Sequence, residues 1–157
     1  MLSVAEIMTR EPYTLGPDAT LADARELMNQ HHVRHIPVVS GDRTIVGLVS
    51  HRDVLAASDS TLAAQSGERA AVHLAAVMTT PVKTVDEHAS LRGAAMHMHK
   101  HRMGCLPVTR DGALVGIITD ADFVAIAIHL MEQLEFSEAE EAELESDAAD
   151  LAVGDDF

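Results

Sequence analysis

The chain of 157 residues is 47% hydrophobic and 23% charged, a globular makeup of ordinary domain length that can bury a core. Twenty-five acidic residues against eleven basic ones give a net charge of −14, which argues against nucleic acid or an anionic membrane surface as a partner. Aromatic residues are 3% with no tryptophan, so stacking platforms for bases are scarce and small aliphatic side chains must do the packing.

The first residues, MLSVAEIMTREP, lack the basic and apolar regions of a signal peptide, and no run approaches the ~18 to 20 apolar residues of a membrane span. With Cys105 alone, no internal disulfide can form, and a reducing, cytoplasmic setting is expected. Past this start the chain repeats itself. Residues 7–15, IMTREPYTL, return as VMTTPVKTV over 77–85, with Met8 over Met78 and Thr14 over Thr84 at an offset of 70. ATLADARELMNQHHVRHIPVV, from Ala19, lies over ASLRGAAMHMHKHRMGCLPVT, from Ala89, and pairs Met28 with Met98 and Pro37 with Pro107. IVGLVSHRDVLA, from Ile45, then meets LVGIITDADFVA, from Leu114, at an offset of 69, so a turn is one residue shorter in the second copy.

Each copy reads as strand, helix, strand, strand, helix. Thr20 and Ser90 are N-cap residues ahead of apolar positions at helical spacing: Leu21, Ala24 and Met28, then Leu91, Ala94 and Met98. Two short β-rich runs follow in each copy, His35–Val39 with Ile45–Ser50 and Cys105–Thr109 with Leu114–Thr119, joined across Gly41 and Asp42 or Asp111 and Gly112. A helix resumes at Asp53 and at Asp122. The expected organisation is a first repeat over 1–57, a linker over 58–72 with a helical turn near Leu62–Gln65, a second repeat over 73–131 and an acidic segment over 132–157. Units of about fifty residues are small for independent stability, so the copies should pack sheet to sheet as a pseudo-twofold pair.

The doubled IMT, HIPVV or CLPVT, and GLVSHRD or GIITDAD resemble a tandem of CBS domains, a Bateman module, of standalone bacterial or archaeal type. The resemblance covers roughly residues 3–130. It implies an α/β regulatory module without catalysis, whose clefts bind AMP, ADP, ATP, S-adenosylmethionine or another adenosyl ligand as effector. No cofactor would be required, and such pairs commonly form homodimers that relay occupancy, here to a separate effector protein.

The residues give this reading chemical content. Ser50 enters a helix whose free N–H groups favour a phosphate, and the Asp53 carboxylate can accept both hydroxyls of a ribose diol. Thr119 and Asp122 offer the same pair in the second copy. Gly47 permits a close backbone approach. The alternative is that the hydroxyls are N-caps and the aspartates simply suit the helix dipole. Around Asp53 the chain adds Arg52, His51 and, upstream, His32, Arg34 and His35, whereas Asp120 stands beside Asp122, so the first cleft should prefer phosphorylated nucleotides. Ile36, Pro37, Leu106 and Pro107 supply either apolar walls for a base or plain core, and Thr14 and Thr84 lie either beside the cleft or simply in strands.

Other constellations carry less. Ten histidines include His97 and His101 on one helix face, but neither HExxH nor a cysteine pair accompanies them, so no metal is expected. No nucleophile elbow, P-loop or GxGxxG occurs, and Cys105 falls inside an apolar strand as a packed thiol. Met8, Met28, Met78, Met96, Met98 and Met103 read as flexible core filler. From Glu132 onward there are seven Glu and four Asp with no Lys or Arg, which leaves the body at a net −3. Phe123, Ile126, Leu130 and Leu134 predict that the last repeat helix runs to about Glu135, and Ser137 with Glu140 predicts a new capping box and second helix carrying Leu144, Ala148 and Leu151. That segment serves solubility and packing or contacts a basic partner or second subunit; an adaptor with vestigial clefts acting through it is the alternative function.

Overall fold

The computed structural model describes residues 1–59 and 72–153. The expected linker over 58–72 lies, but for its ends, outside the described residues, as does the helical turn near Leu62–Gln65. The chain divides into two compact units between Thr119 and Asp120.

In the first unit, α1 (Val4–Ile7) leads to β1 (Thr9–Arg10), then α2 (Leu21–His31), β2 (His35–Val39), β3 (Ile45–Ser50) and α3 (His51–Asp59). The second copy opens with a 3-10 turn (Leu74–Ala76) and continues through β4 (Val85–Asp86), α4 (Leu91–His101), β5 (Cys105–Arg110) and β6 (Ala113–Thr119). The short helical turns ahead of each first strand are absent from the sequence reading; four and three residues are too few to show a period.

The predicted caps form. Thr20 Oγ1 accepts the Asp23 N–H at 3.2 Å while the Asp23 carboxylate accepts the Thr20 N–H at 2.8 Å, and Ser90 Oγ accepts the Gly93 N–H at 3.0 Å. Leu21, Ala24 and Met28, and Leu91, Ala94 and Met98, are the buried stripes of α2 and α4. Both helices end on a left-handed residue, His32 at φ 53° and Arg102 at φ 52°. β2 and β3 pair antiparallel with Ile36 opposite Val49, and β5 and β6 do the same with Leu106 opposite Ile118. The second hairpin turns on Asp111 and Gly112, both at positive φ, which explains the shorter second turn.

The two repeats exchange their opening segments. β1 pairs with β6 of the second copy, Thr9 opposite Ile117, and Thr79 bridges to Leu48 of the first copy. The Val4 N–H donates to the Ala89 carbonyl at 2.9 Å, and the Leu74 N–H donates to the Ala19 carbonyl at 2.8 Å, the same bond seventy residues on. Val4 and Leu74 are fully buried, and Leu74 completes the core of Leu21, Met28, Ile36, Val38, Val49 and Val54 in the other repeat. Burying each such side chain contributes about 1.5–3 kcal/mol, so each repeat depends on a residue that the other supplies.

Glycine makes the exchange fit. A Cβ on Gly47 would come within 2.6 Å of Met78 Cγ and closer still to its sulphur, and a Cβ on Gly116 would come within 3.0 Å of Met8 Cγ and closer to its sulphur. The close approach at Gly47 is therefore made by a methionine of the other repeat. Met28 and Met98 are also buried, whereas Met96 is an exception to the expected core role, since it is 61% exposed on the outer side of α4.

The second unit is a single helix, α5 (Asp120–Val153), of 34 residues. The predicted break after Glu135 does not occur. Ser137 Oγ donates to the Leu134 carbonyl at 3.0 Å, the bond of a hydroxyl inside a helix, and so does not cap a new one. Every residue over 135–143 except Phe136 and Ser137 is Ala or Glu, good helix formers that carry the helix through. Among the described residues no helix is long and apolar enough to cross a membrane.

Candidate functional site

A pocket of about 250 Å³ opens in the second repeat between β4, the first half of α4 and β5. Leu106, Ala94, Ala89 and Val85 give it apolar walls, and Thr84, Ser90 and His97 bring polar atoms to it. It exists because the helix is thin there. Gly93 stands where α2 carries Asp23, and it lines the pocket without a side chain; a Cβ there would crowd Ser90 Oγ at 2.8 Å. His97 replaces Leu27 of the first copy, so a ring with two nitrogens faces the pocket in place of an alkyl group.

Two residues predicted from the repeat pattern, Thr84 and Leu106, are brought together in this pocket. Pro107 is fully buried behind Leu106, and in the first repeat Ile36 and Pro37 are fully buried as well. Thr14 is half-buried next to Leu15, which bridges in parallel to Val38 of β2. Ser90, Gly93 and His97 were not singled out as binding residues from the sequence. For Gly93 and His97 the signal was present, because they lie where the aligned copies differ in size or polarity, Gly93 against Asp23 and His97 against Leu27, whereas Ser90 matches the cap Thr20.

At the end of β3, Ser50 and Asp53 hold each other. The Asp53 carboxylate accepts the Ser50 N–H through Oδ2 at 2.8 Å, and Ser50 Oγ accepts the Asp53 N–H at 3.1 Å. This is a capping box, and it fixes both side chains at the start of α3. The His51 N–H donates to the Arg34 carbonyl at 2.7 Å, which ties the helix start to the basic stretch before β2. Arg34, His51 and Arg52 are exposed and His35 is half-buried, so two guanidinium groups and two imidazole rings stand near this corner. Thr119 is the last residue of β6 and Asp122 the third residue of α5, both half-buried.

Among the described residues of the first unit, one charge is buried. Glu87, 3% exposed, receives Arg110 through two guanidinium nitrogens, Nη2 to Oε2 at 2.7 Å, and the Ala5 N–H donates to its carbonyl at 2.9 Å. The bond from Arg110 holds the Glu87 carboxyl below its usual range. The pair therefore pins the exchanged first segment beside the pocket strand. The rings of His97 and His101 lie 4.5 Å apart, but the described residues hold no group of three or more His, Cys, Asp or Glu able to share a metal ion.

The CBS domain family model matches residues 4–60 and 74–129. Among solved structures, the AcuB protein from Vibrio cholerae is 45% identical, with 86% of this chain and 98% of that one covered at a TM-score of 0.78. CBSX2 in complex with AMP is 28% identical over 83% of this chain and 99% of that one, at a TM-score of 0.71. The CBS domain pair of protein MJ0100, in complex with 5-methylthioadenosine and S-adenosylmethionine, is 25% identical over 80% and 98%, at a TM-score of 0.69. The chain also matches a homoserine O-acetyltransferase of Methanocorpusculum labreanum at 34% identity, with 75% of this chain covered and only 23% of that protein. Two family matches seventy residues apart, on a fold whose halves exchange equivalent segments, establish that the chain belongs to the CBS-domain family and carries two CBS domains in tandem.

Proposed function

We propose that this CBS pair is a regulatory module, without catalysis of its own, that binds an adenosine-containing ligand. The observation that carries the reading is the pocket formed by Thr84, Leu106 and the gap at Gly93. Its volume is below the about 300–1,000 Å³ of a complete small-molecule site, so it suits the flat base while the remainder of the ligand extends out of it. Two similar CBS pairs were solved with AMP and with S-adenosylmethionine and 5-methylthioadenosine, ligands whose common part is adenosine.

In this reading Ser50 with the N-terminus of α3 receives phosphate, the Asp53 carboxylate accepts ribose hydroxyls, Arg52 adds positive charge and His35 a hydrogen-bonding ring. Thr119 and Asp122 take the equivalent roles in the second copy, where Asp120 disfavours phosphate. Thr14, Ile36, Pro37 and Pro107 are supporting positions. A homodimer relays occupancy to a separate effector chain.

Isothermal titration with AMP, ADP, ATP, S-adenosylmethionine and NADH, on the wild type, Asp53→Ala and Asp122→Ala, tests this. One adenosyl compound should bind, and one Asp substitution should remove that binding. Protein stripped of co-purified ligand that binds none of the five would refute the reading, and equal losses in the two variants would refute the asymmetry between the copies.

A further inference from the structure

α5 carries a surface that the clefts do not use. Leu130, Leu134, Leu144, Ala148 and Leu151 fall on one seam at alternating spacings of three and four, with Ser137 and Glu141 at the two remaining positions. That is the 3.5-residue period of helix pairing. Leu130, Leu134, Leu144 and Leu151 are 53%, 62%, 69% and 81% exposed, so the seam presents apolar surface. Exposed leucines in such a row mark a face that pairs with something.

Charge identifies the occupant. The seam is flanked by Glu138 and Glu145 on one side and Glu140 and Asp147 on the other, and no Lys or Arg follows Arg110 in the sequence. A second copy of this helix, laid parallel or antiparallel, would set carboxylates against carboxylates along both flanks and Glu141 in the apolar seam. Flanking charges set partner choice in paired helices, and here every one of them repels a like partner. Lys or Arg at the same positions on another helix would pair with each carboxylate, and a basic residue would also answer Glu141.

We propose that the Leu130–Leu151 face of α5 docks a basic amphipathic helix of a separate protein, with leucine-type residues on its seam and Lys or Arg flanking them. The strip is about 33 Å long at 1.5 Å per residue, enough for six turns of such a helix. The adenosyl clefts and this strip are separate features, and each can fail without the other.

The test uses the full chain and three synthetic 22-residue peptides, followed by fluorescence anisotropy: one with a leucine seam flanked by Lys, one with the same seam flanked by Glu, and the Lys peptide with its order scrambled. The Lys peptide should bind saturably at one per chain, and the other two should not. Leu144→Ala with Leu151→Ala should weaken it by about tenfold or more, because seam leucines carry the affinity and no charge has changed. Alanine favours the helix, and circular dichroism of the double variant checks that α5 is retained. No binding, equal binding of the scrambled peptide, or an unchanged affinity in the double variant would overturn the proposal. A fall in oligomeric order of that variant in sedimentation would also overturn it, by making a second copy the occupant.

Discussion

The exchange of opening segments can be tested at the two glycines that accommodate it. In Gly47→Ala the new Cβ would stand within 2.6 Å of Met78 Cγ, where carbon atoms need about 3.5–4.0 Å, so Met78 must retreat by about 1 Å. Its backbone cannot follow freely, since the next residue, Thr79, bonds to Leu48 in both directions, N–H to carbonyl at 2.8 and 3.1 Å. Overpacking of this kind costs about 1–3 kcal/mol, and the smaller freedom of the unfolded chain returns about 0.4–1 kcal/mol. The net loss is about 1–2 kcal/mol, read as a fall in Tm of about 2–8 °C for a chain of this size. Met78→Ala alone should cost a similar amount, because it leaves a gap over the glycine. The double variant Gly47→Ala, Met78→Ala should lose less than the sum by at least about 1 kcal/mol, since each change relieves the other. Gly116→Ala lies under Met8, at the equivalent crossing, and its combination with Met78→Ala should be additive within about 0.5 kcal/mol. Thermal and urea unfolding followed by circular dichroism gives all these values. Additivity at Gly47 and Met78, or a wild-type Tm in Gly47→Ala, would refute the packing of one repeat's methionine on the other repeat's glycine.

Asp53→Ala should destabilise the protein without ligand by about 1 kcal/mol, because it removes half of the capping box with Ser50; urea unfolding measures this apart from any effect on binding, and an unchanged midpoint would argue against the box. Glu87→Gln should alter the acid limb of stability. The folded Glu87 carboxyl is held below its ordinary value of 4.5 by Arg110, so its stabilisation is complete above that pH and is lost as pH falls through the lower folded value. Wild-type stability should thus fall more steeply than that of the variant below about pH 4.5, and parallel curves would contradict the ion pair. Gly93→Asp should fill the pocket and, once Ser90 Oγ has turned away from the new Cβ 2.8 Å from it, recreate the box of Thr20 and Asp23 in α4. If adenosyl ligands then bind as tightly as to wild type, the Gly93 gap is not where the base sits.

The helices, hairpins and shortened second turn were readable because each rests on local chemistry: Thr20 and Ser90 as caps, apolar spacing in α2 and α4, Asp111 and Gly112 at the turn. The duplication itself was readable from the doubled MT and PV positions. The exchange was not. Val4 and Leu74 have no local feature that says whether they fill their own repeat or the other, since both choices bury the same side chain. The continuity of α5 was missed for a related reason. Ser137 followed by Glu140 is a true capping signal, but a run of Ala and Glu lets the helix pass through it, and only the bond from Ser137 to the Leu134 carbonyl distinguishes the two outcomes. In the candidate site, Thr84 and Leu106 were legible as repeat positions. Gly93 and His97 were legible only as departures from the repeat, and a difference between copies names no function until a pocket is seen beside it.

The exchange also bears on how a bound ligand would be felt. Four residues separate Thr79, bonded to Leu48 in the sheet of the first repeat, from Thr84, which lines the pocket of the second. On the opposite side, the Ala5 N–H is bonded to the carbonyl of Glu87, three residues past Thr84, and Arg110 fastens that glutamate to the end of β5. The pocket strand is thus anchored at one end to the first repeat's sheet and at the other to the first repeat's amino-terminal turn. A base seated as proposed, against Thr84 and Leu106, would therefore press on a strap that both repeats hold. Regulation requires in addition that the ligand bind one arrangement of that strap more tightly than another, because a ligand indifferent to the two shifts nothing. Gly47 and Met78, which pack one repeat on the other beside Thr79 at the start of that strap, are then expected to change the response to ligand while leaving every proposed contact with the ligand intact.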